Sequence, residues 1–225
     1  MAFPTTQMSG YTDLKGRIAL ALGRCQEQPW LDFKESQPWD VLRWRLLKTT
    51  MAMANLRDGG LIVVGVAERG TSWELTGITA DHLNSYDYDD ITDQLSKYAS
   101  PQVVVDIVVH HHDDGNSYLA FHVHQFKDSP VICRNNSPDD VKPKDRLLAG
   151  EIYVRPTSGK PRTEKVTDAG RLHGLLELAA EFRARKILET AKRIGLVPGE
   201  TAVSSYNDEL ASISESPRQS GDKRR

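Results

Sequence analysis

The stretch Asp58-Gly59-Gly60-Leu61-Ile62-Val63-Val64-Gly65-Val66 decides the fold. From Leu61 to Val66 both positions of the strand alternation are apolar, the pattern of a strand covered on both faces. Such a strand needs a layer on either side, and the flanking chain must supply it. The Asp-Gly-Gly run in front is a breaker that ends a preceding helix.

Upstream, Pro38 opens a predicted helix over residues 38–55, with Val41, Trp44, Leu47, Met51 and Ala54 on one side. Residues 30–35 alternate like a short strand, and Thr12 is placed to cap a first helix over 12–23 whose stripe is Leu14, Ile18, Leu20 and Leu22. Downstream, residues 73–78 read as a strand and 79–100 as one polar surface helix capped by Thr79. Two strands, 103–112 and 117–126, flank Asp113-Asp114-Gly115-Asn116 and are predicted to pair as an antiparallel hairpin. A Pro- and Asp-rich loop over 137–144 precedes a strand over 151–155. Thr167 or Asp168 then caps a last amphipathic helix to about residue 194, with Leu172, Leu175, Leu176, Ala179, Phe182 and Ile187 available for packing.

The sum is an α+β fold, a mixed and largely antiparallel sheet flanked by helices. The expected organisation is an N-terminal helical segment (1–26), a core (27–160), a C-terminal amphipathic helix (161–198) and a polar, Ser-rich tail (199–225) read as disordered.

With 225 residues, a net charge of -2 and no apolar run of membrane-spanning length, the chain is expected to be soluble and cytoplasmic. Cys25 and Cys133 form no CxxC pair and are read as free thiols rather than zinc ligands. Acidic residues crowd 73–114, whereas 142–193 is rich in Lys and Arg. That separation allows a basic face for phosphates in a chain of ordinary net charge. Lys142, Lys144, Arg146, Arg155, Lys160, Arg162 and Lys165 are the candidate cations, with Tyr153 as a stacking surface. Ser158-Gly159-Lys160 lacks the first glycine of a phosphate loop and is followed by Pro161, which excludes that ATPase motif.

Most of the histidines fall in the hairpin: His110, His111, His112, His122 and His124. With Asp114-Gly115 as a two-residue turn, His110 faces Leu119 and His122 faces Ile107. No two histidines are then opposite, so this register argues against a metal site and for a solvated or structural set.

The succession Leu31-Asp32-Phe33-Lys34-Glu35-Ser36, then Met53-Ala54-Asn55, Gly59-Gly60 and the apolar strand ending Gly65-Val66 resembles the Schlafen Alba-like (AlbA_2) family. So does Gly150-Glu151-Ile152-Tyr153-Val154-Arg155 followed by Ser158-Gly159. The resemblance implies a single Schlafen-like lobe that handles nucleic acid, RNA rather than DNA. In nuclease members, metal-dependent endoribonucleases acting on structured RNA such as tRNA, a pair of close acids and a third after the G-V strand hold Mg²⁺ or Mn²⁺. Those positions fall here on Glu27, Asp32 and Glu68, with Lys34 as electrostatic stabiliser, and Ala67 stands where the family often has a further acid. The same resemblance singles out Arg155 and Ser158 for nucleic-acid contact, beside Lys160 and Arg162 of the basic run. A non-catalytic DNA- or RNA-binding module and an interaction subunit of a larger assembly are the alternatives. One lobe with a spare amphipathic helix also implies a homodimer or a partner supplying a second lobe.

Overall fold

Strand β2 (Gly60–Val64) is buried at every residue, as its apolar alternation requires. In the computed structural model, which describes residues 8–156 and 161–196, it lies between a parallel β1 (Leu31–Lys34) and an antiparallel β7 (Ser117–Val123). Strand β6 (Val105–His111) completes the main sheet in the order β1-β2-β7-β6. One face carries helix α1 (Met8–Arg24), whose Leu14, Ile18, Ala21 and Leu22 form a core with Leu31, Phe33, Leu61, Val63, Tyr118 and Ala120. Helix α2 (Trp39–Ala54) packs on the same sheet strand β2 and on β9 (Tyr153–Val154), which pairs with β10 (Glu164–Lys165).

Smaller elements complete the fold. Strands β3 (Val66–Arg69) and β4 (Ser72–Leu75) form a hairpin beyond β2. Helices α3 (Ala80–Asn84) and α4 (Tyr88–Tyr98) follow, β5 (Ala99–Ser100) pairs with β8 (Ile132–Cys133), and a 3₁₀ turn spans Pro143–Asp145. The chain divides into two compact units, Met1–Ala179 and Ala180–Arg225, so that α5 (Ala169–Arg193) contributes to both.

Gly65 ends β2 and begins the β3 hairpin at φ 116°, a conformation that only glycine adopts readily. A Cβ there would stand 2.8 Å from the Gly77 carbonyl carbon. This redirection explains the G-V ending in physical terms.

Several sequence expectations are corrected. Val41 is exposed, because the buried side of α2 runs through Leu42, Leu46 and Met53, and the helix is enclosed between the sheet and β9. The polar helix over 79–100 is two helices: Thr79 caps the first, Tyr86 turns inward to donate to the Gln37 carbonyl (2.8 Å), and Asp87 caps the second by accepting from Asp89 and Asp90 N–H. In α5, Asp168 accepts from Arg171 N–H as a cap should (2.9 Å), and Leu175, Ala179 and Phe182 are buried while Leu172, Leu176 and Ile187 are exposed.

The hairpin register also differs. His112 N–H donates to Asn116 O (3.0 Å) around a loop of Asp113, Asp114 and Gly115, with Gly115 at φ 84°. This is the three-residue loop closed by a left-handed glycine. Asp106 therefore faces His122, and His110 faces Tyr118. A one-residue slip transfers every β6 side chain to the opposite face relative to β7.

Asn55, at the end of α2, is buried and stitches three segments together. Its amide donates to Val131 O and Tyr153 O (both 2.9 Å) and its carbonyl accepts from Val131 N–H (2.7 Å). Asn55→Ala leaves those backbone groups buried and unmet, so denaturant unfolding should show a loss of about 3 kcal/mol. A loss below about 1 kcal/mol would mean that water replaces the amide.

Candidate nucleic-acid groove

Alternation along β1 sends Leu31 and Phe33 to the α1 face and Asp32 and Lys34 to the α2 face. On that second side a groove of about 650 Å³ opens. Its lining includes Glu27 from the turn before β1, Asp32 and Lys34 from β1, and Glu68 from β3. The same groove receives Arg45, Lys48 and Thr49 from α2, Lys144 and Asp145 from the 3₁₀ turn, and Arg162 and Thr163 from the segment before β10. The spacing of Arg45, Lys48 and Thr49 puts them on one helical face.

Asp32 is at the floor and only 5% exposed. Lys34 Nζ donates to its Oδ2, and Arg155 Nη1 donates to its Oδ1 at 2.7 Å. Arg155 is itself 2% exposed, and the rest of its guanidinium donates to the carbonyls of Pro29 (2.8 Å), Leu31 (3.3 Å) and Gln28 (3.4 Å). Burial pushes the Asp32 carboxyl upward, but Lys34 and Arg155 outweigh it and hold the group below the usual carboxylate range. Glu27 shifts the other way, raised by burial and by the neighbouring Asp32 charge, while its Oε1 accepts from Phe33 N–H (3.1 Å).

The candidate cations are placed unequally. Lys144 and Arg162 line the groove, Arg162 also donating to Glu164 (2.5 Å). Arg155 is a buried strut and not an exposed contact. Arg146 ties its own loop through Val141 O and Asp139 O, Lys165 pairs with Glu151, and Tyr153 is buried with Lys48 over its ring. Ser158 and Lys160 lie outside the described residues, as does the tail over 199–225.

Sequence reading missed Arg45 and Lys48. Their signal is a polar face on an otherwise buried helix, and it points nowhere until the fold shows what that face meets. Arg45 forms a two-pronged pair with Asp145 (3.1 and 3.2 Å), and Lys48 Nζ donates to Lys144 O (2.9 Å), so α2 also fixes the 3₁₀ turn.

Glu27, Asp32 and Glu68 offer the oxygen donors that Mg²⁺ or Mn²⁺ prefers. As placed, they do not fit one ion: both Asp32 oxygens are engaged by cations. Among the described residues, the trio whose ligand atoms all lie within 4.8 Å of one another is a different one, Asp106, His122 and His124.

The Schlafen AlbA_2 family model matches residues 27–164, from Glu27 to the first residue of β10. This chain belongs to the Schlafen AlbA_2 family. Membership links this AlbA_2 domain to nucleic acid. Its matched span contains the whole groove and both ends of the Asp32–Arg155 pair. Two solved structures are similar: the DIP2311 protein from Corynebacterium diphtheriae (15% identity, 73% of this chain and 28% of that one, TM-score 0.45), and the N-terminal domain of a protein related to the ATP-dependent DNA helicase RecG from Nitrosomonas europaea (19% identity, 72% of this chain and 97% of that one, TM-score 0.39). The AlbA_2 chain thus spans little more than a quarter of the first. A search of curated proteins gave no match. No helix among the described residues is long and apolar enough to cross a membrane.

Replacing one partner of a buried ion pair strands the other, at a cost of about 3 to 5 kcal/mol. Arg155→Met should lose that much in denaturant unfolding, and adding Asp32→Asn should recover part of it. The folded Asp32 titrates below its unfolded value near 3.9, so the pair's stability is full above that pH and fades as pH falls through the folded value. The gap between wild type and Arg155→Met should therefore narrow below about pH 4. A gap that is constant down to pH 2 would show that Asp32 is not the partner that matters.

Proposed function

We propose that this AlbA_2 domain binds nucleic acid by its phosphate backbone in the groove between β1 and α2. The observation that supports it is the convergence of Lys34, Arg45, Lys48, Lys144 and Arg162, from separate stretches of chain, on one cleft. These cations come from a strand, a helix side and loops. Contact with phosphates, largely independent of sequence, follows from that layout. Structured RNA such as tRNA is the first ligand to test, against duplex DNA. In this reading a second lobe, from another copy of the chain or a separate protein, closes the open side of the groove.

Binding should weaken steeply with salt. Lys48→Gln, Lys144→Gln and Arg162→Gln together should lower affinity at least about tenfold and reduce the log-log salt slope by about two to three. Fluorescence anisotropy with labelled tRNA over a salt series reads both quantities, and an unchanged slope would put the binding face elsewhere.

A second reading, metal-dependent endoribonuclease, is favoured by one observation: Glu27, Asp32 and Glu68 all line the same groove as the cations. Carboxylates beside phosphates repel them unless a cation intervenes. The two readings separate in one assay, incubation of tRNA with the protein in Mg²⁺ or Mn²⁺. The binding reading expects intact RNA. Cleavage by wild type that is abolished in Glu68→Gln, with tRNA binding retained, would replace it with the nuclease reading.

A further inference from the structure

The observed hairpin register brings together, on the face opposite the groove, three side chains that no motif connects. Asp106 on β6 stands directly across from His122 on β7, and His124 follows two positions later on the same side. Asp106 Oδ2 is 3.3 Å from His122 Nδ1 and 2.7 Å from His124 Nε2, and the two imidazole rings lie 4.5 Å apart by centroids. All three ligand atoms are within 4.8 Å of one another.

From this geometry we infer that Asp106, His122 and His124 form a binding site for a borderline divalent transition ion, of which Zn²⁺ is the type. Two imidazoles and a carboxylate are a donor set suited to such an ion and poorly suited to Mg²⁺. Bonds of about 2.0 to 2.2 Å to a tetrahedral centre set neighbouring ligand atoms roughly 3.3 to 3.6 Å apart. The separations present need only small side-chain rotations to reach that. Two ligands sit on paired strands, so their backbones are already positioned, and little ordering is required on binding. The side chains are 21%, 17% and 42% exposed for Asp106, His122 and His124, so an ion has access and a fourth position opens on the solvent side for water or an exogenous ligand.

Each histidine now shares a proton with Asp106, and the ion replaces both of those shared hydrogen bonds. Coordination through Nδ1 moves the His122 proton to Nε2. That nitrogen accepts from Arg17 Nη1 of α1 at 3.1 Å, so Arg17 must turn away when the ion binds. Arg17 is thus a built-in competitor, and Arg17→Gln should tighten binding by removing a cation and supplying a carbonyl that accepts from Nε2–H. The site is independent of the groove: it lies on the opposite face of the sheet and combines two nitrogen donors with one carboxylate.

The test uses the untagged full chain, stripped of metal. Zn²⁺ titrated against a chromogenic chelator should bind with one ion per chain, and Co²⁺ should give the strong visible bands of a four-coordinate centre. His124→Gln, at the most exposed of the three positions, should weaken Zn²⁺ binding about tenfold or more and abolish the Co²⁺ bands, with a metal-free melting temperature like that of wild type. Arg17→Gln should bind Zn²⁺ more tightly, and Glu68→Gln, in the groove, should leave the Co²⁺ spectrum unchanged. A Co²⁺ spectrum of the hydrated ion alone, or bands that persist in His124→Gln, would overturn the site.

Discussion

A buried carboxylate and a buried guanidinium, Asp32 and Arg155, constrain the whole AlbA_2 core. Neither charge is tolerable alone in the interior, and the two residues are separated by 123 positions in the chain. The pair therefore forces the segment carrying β9 against the first strand of the sheet. Arg155 does more than neutralise: its remaining donors occupy the carbonyls of Gln28, Pro29 and Leu31, which fixes the turn from which Glu27 projects. The site's electrostatics and its backbone geometry are consequences of one contact.

The sheet also separates two chemistries. Along β1, Phe33 joins the α1 core while Asp32 and Lys34 meet the groove, so the period of two partitions adjacent residues between unrelated surroundings. The same period on β7 puts His122 on the α1 side and Phe121 on the other. Acid and ammonium face phosphate-scale space on one side, and imidazoles gather on the other.

What the sequence discloses depends on how local the cause is. The buried β2, the Thr79 and Asp168 caps and the placement of Asp32 beside Lys34 were legible, because each follows from neighbours within a few residues. The register of the hairpin was not, since Asp114-Gly115 suits both a two-residue turn and the longer loop that includes Asp113; packing of Val108 from β6 on the α1-side core beside Ala120 is consistent only with the latter. Arg155 was read as a surface cation because its burial is decided by Asp32, far away in the chain. Lys48 escaped notice for the same reason: its neighbours Lys144 and Tyr153 arrive from distant segments. Asn55 belonged to a visible motif, yet its three hydrogen bonds reach Val131 and Tyr153, which no local pattern connects to it.

The length of chain between Asp32 and Arg155 has a bearing on how the protein is made. As the polypeptide leaves the ribosome, β1 and β2 emerge well before β9, and closing so long a loop is entropically slow. Until Arg155 arrives, Asp32 has only Lys34 of its two ion-pair partners. An unfinished chain holds the Gln28–Leu31 turn by its own backbone pairing alone, without the Arg155 donors to its carbonyls. Arrival of the guanidinium pairs the buried carboxylate and ties the turn before β1 to the end of β9 in a single event.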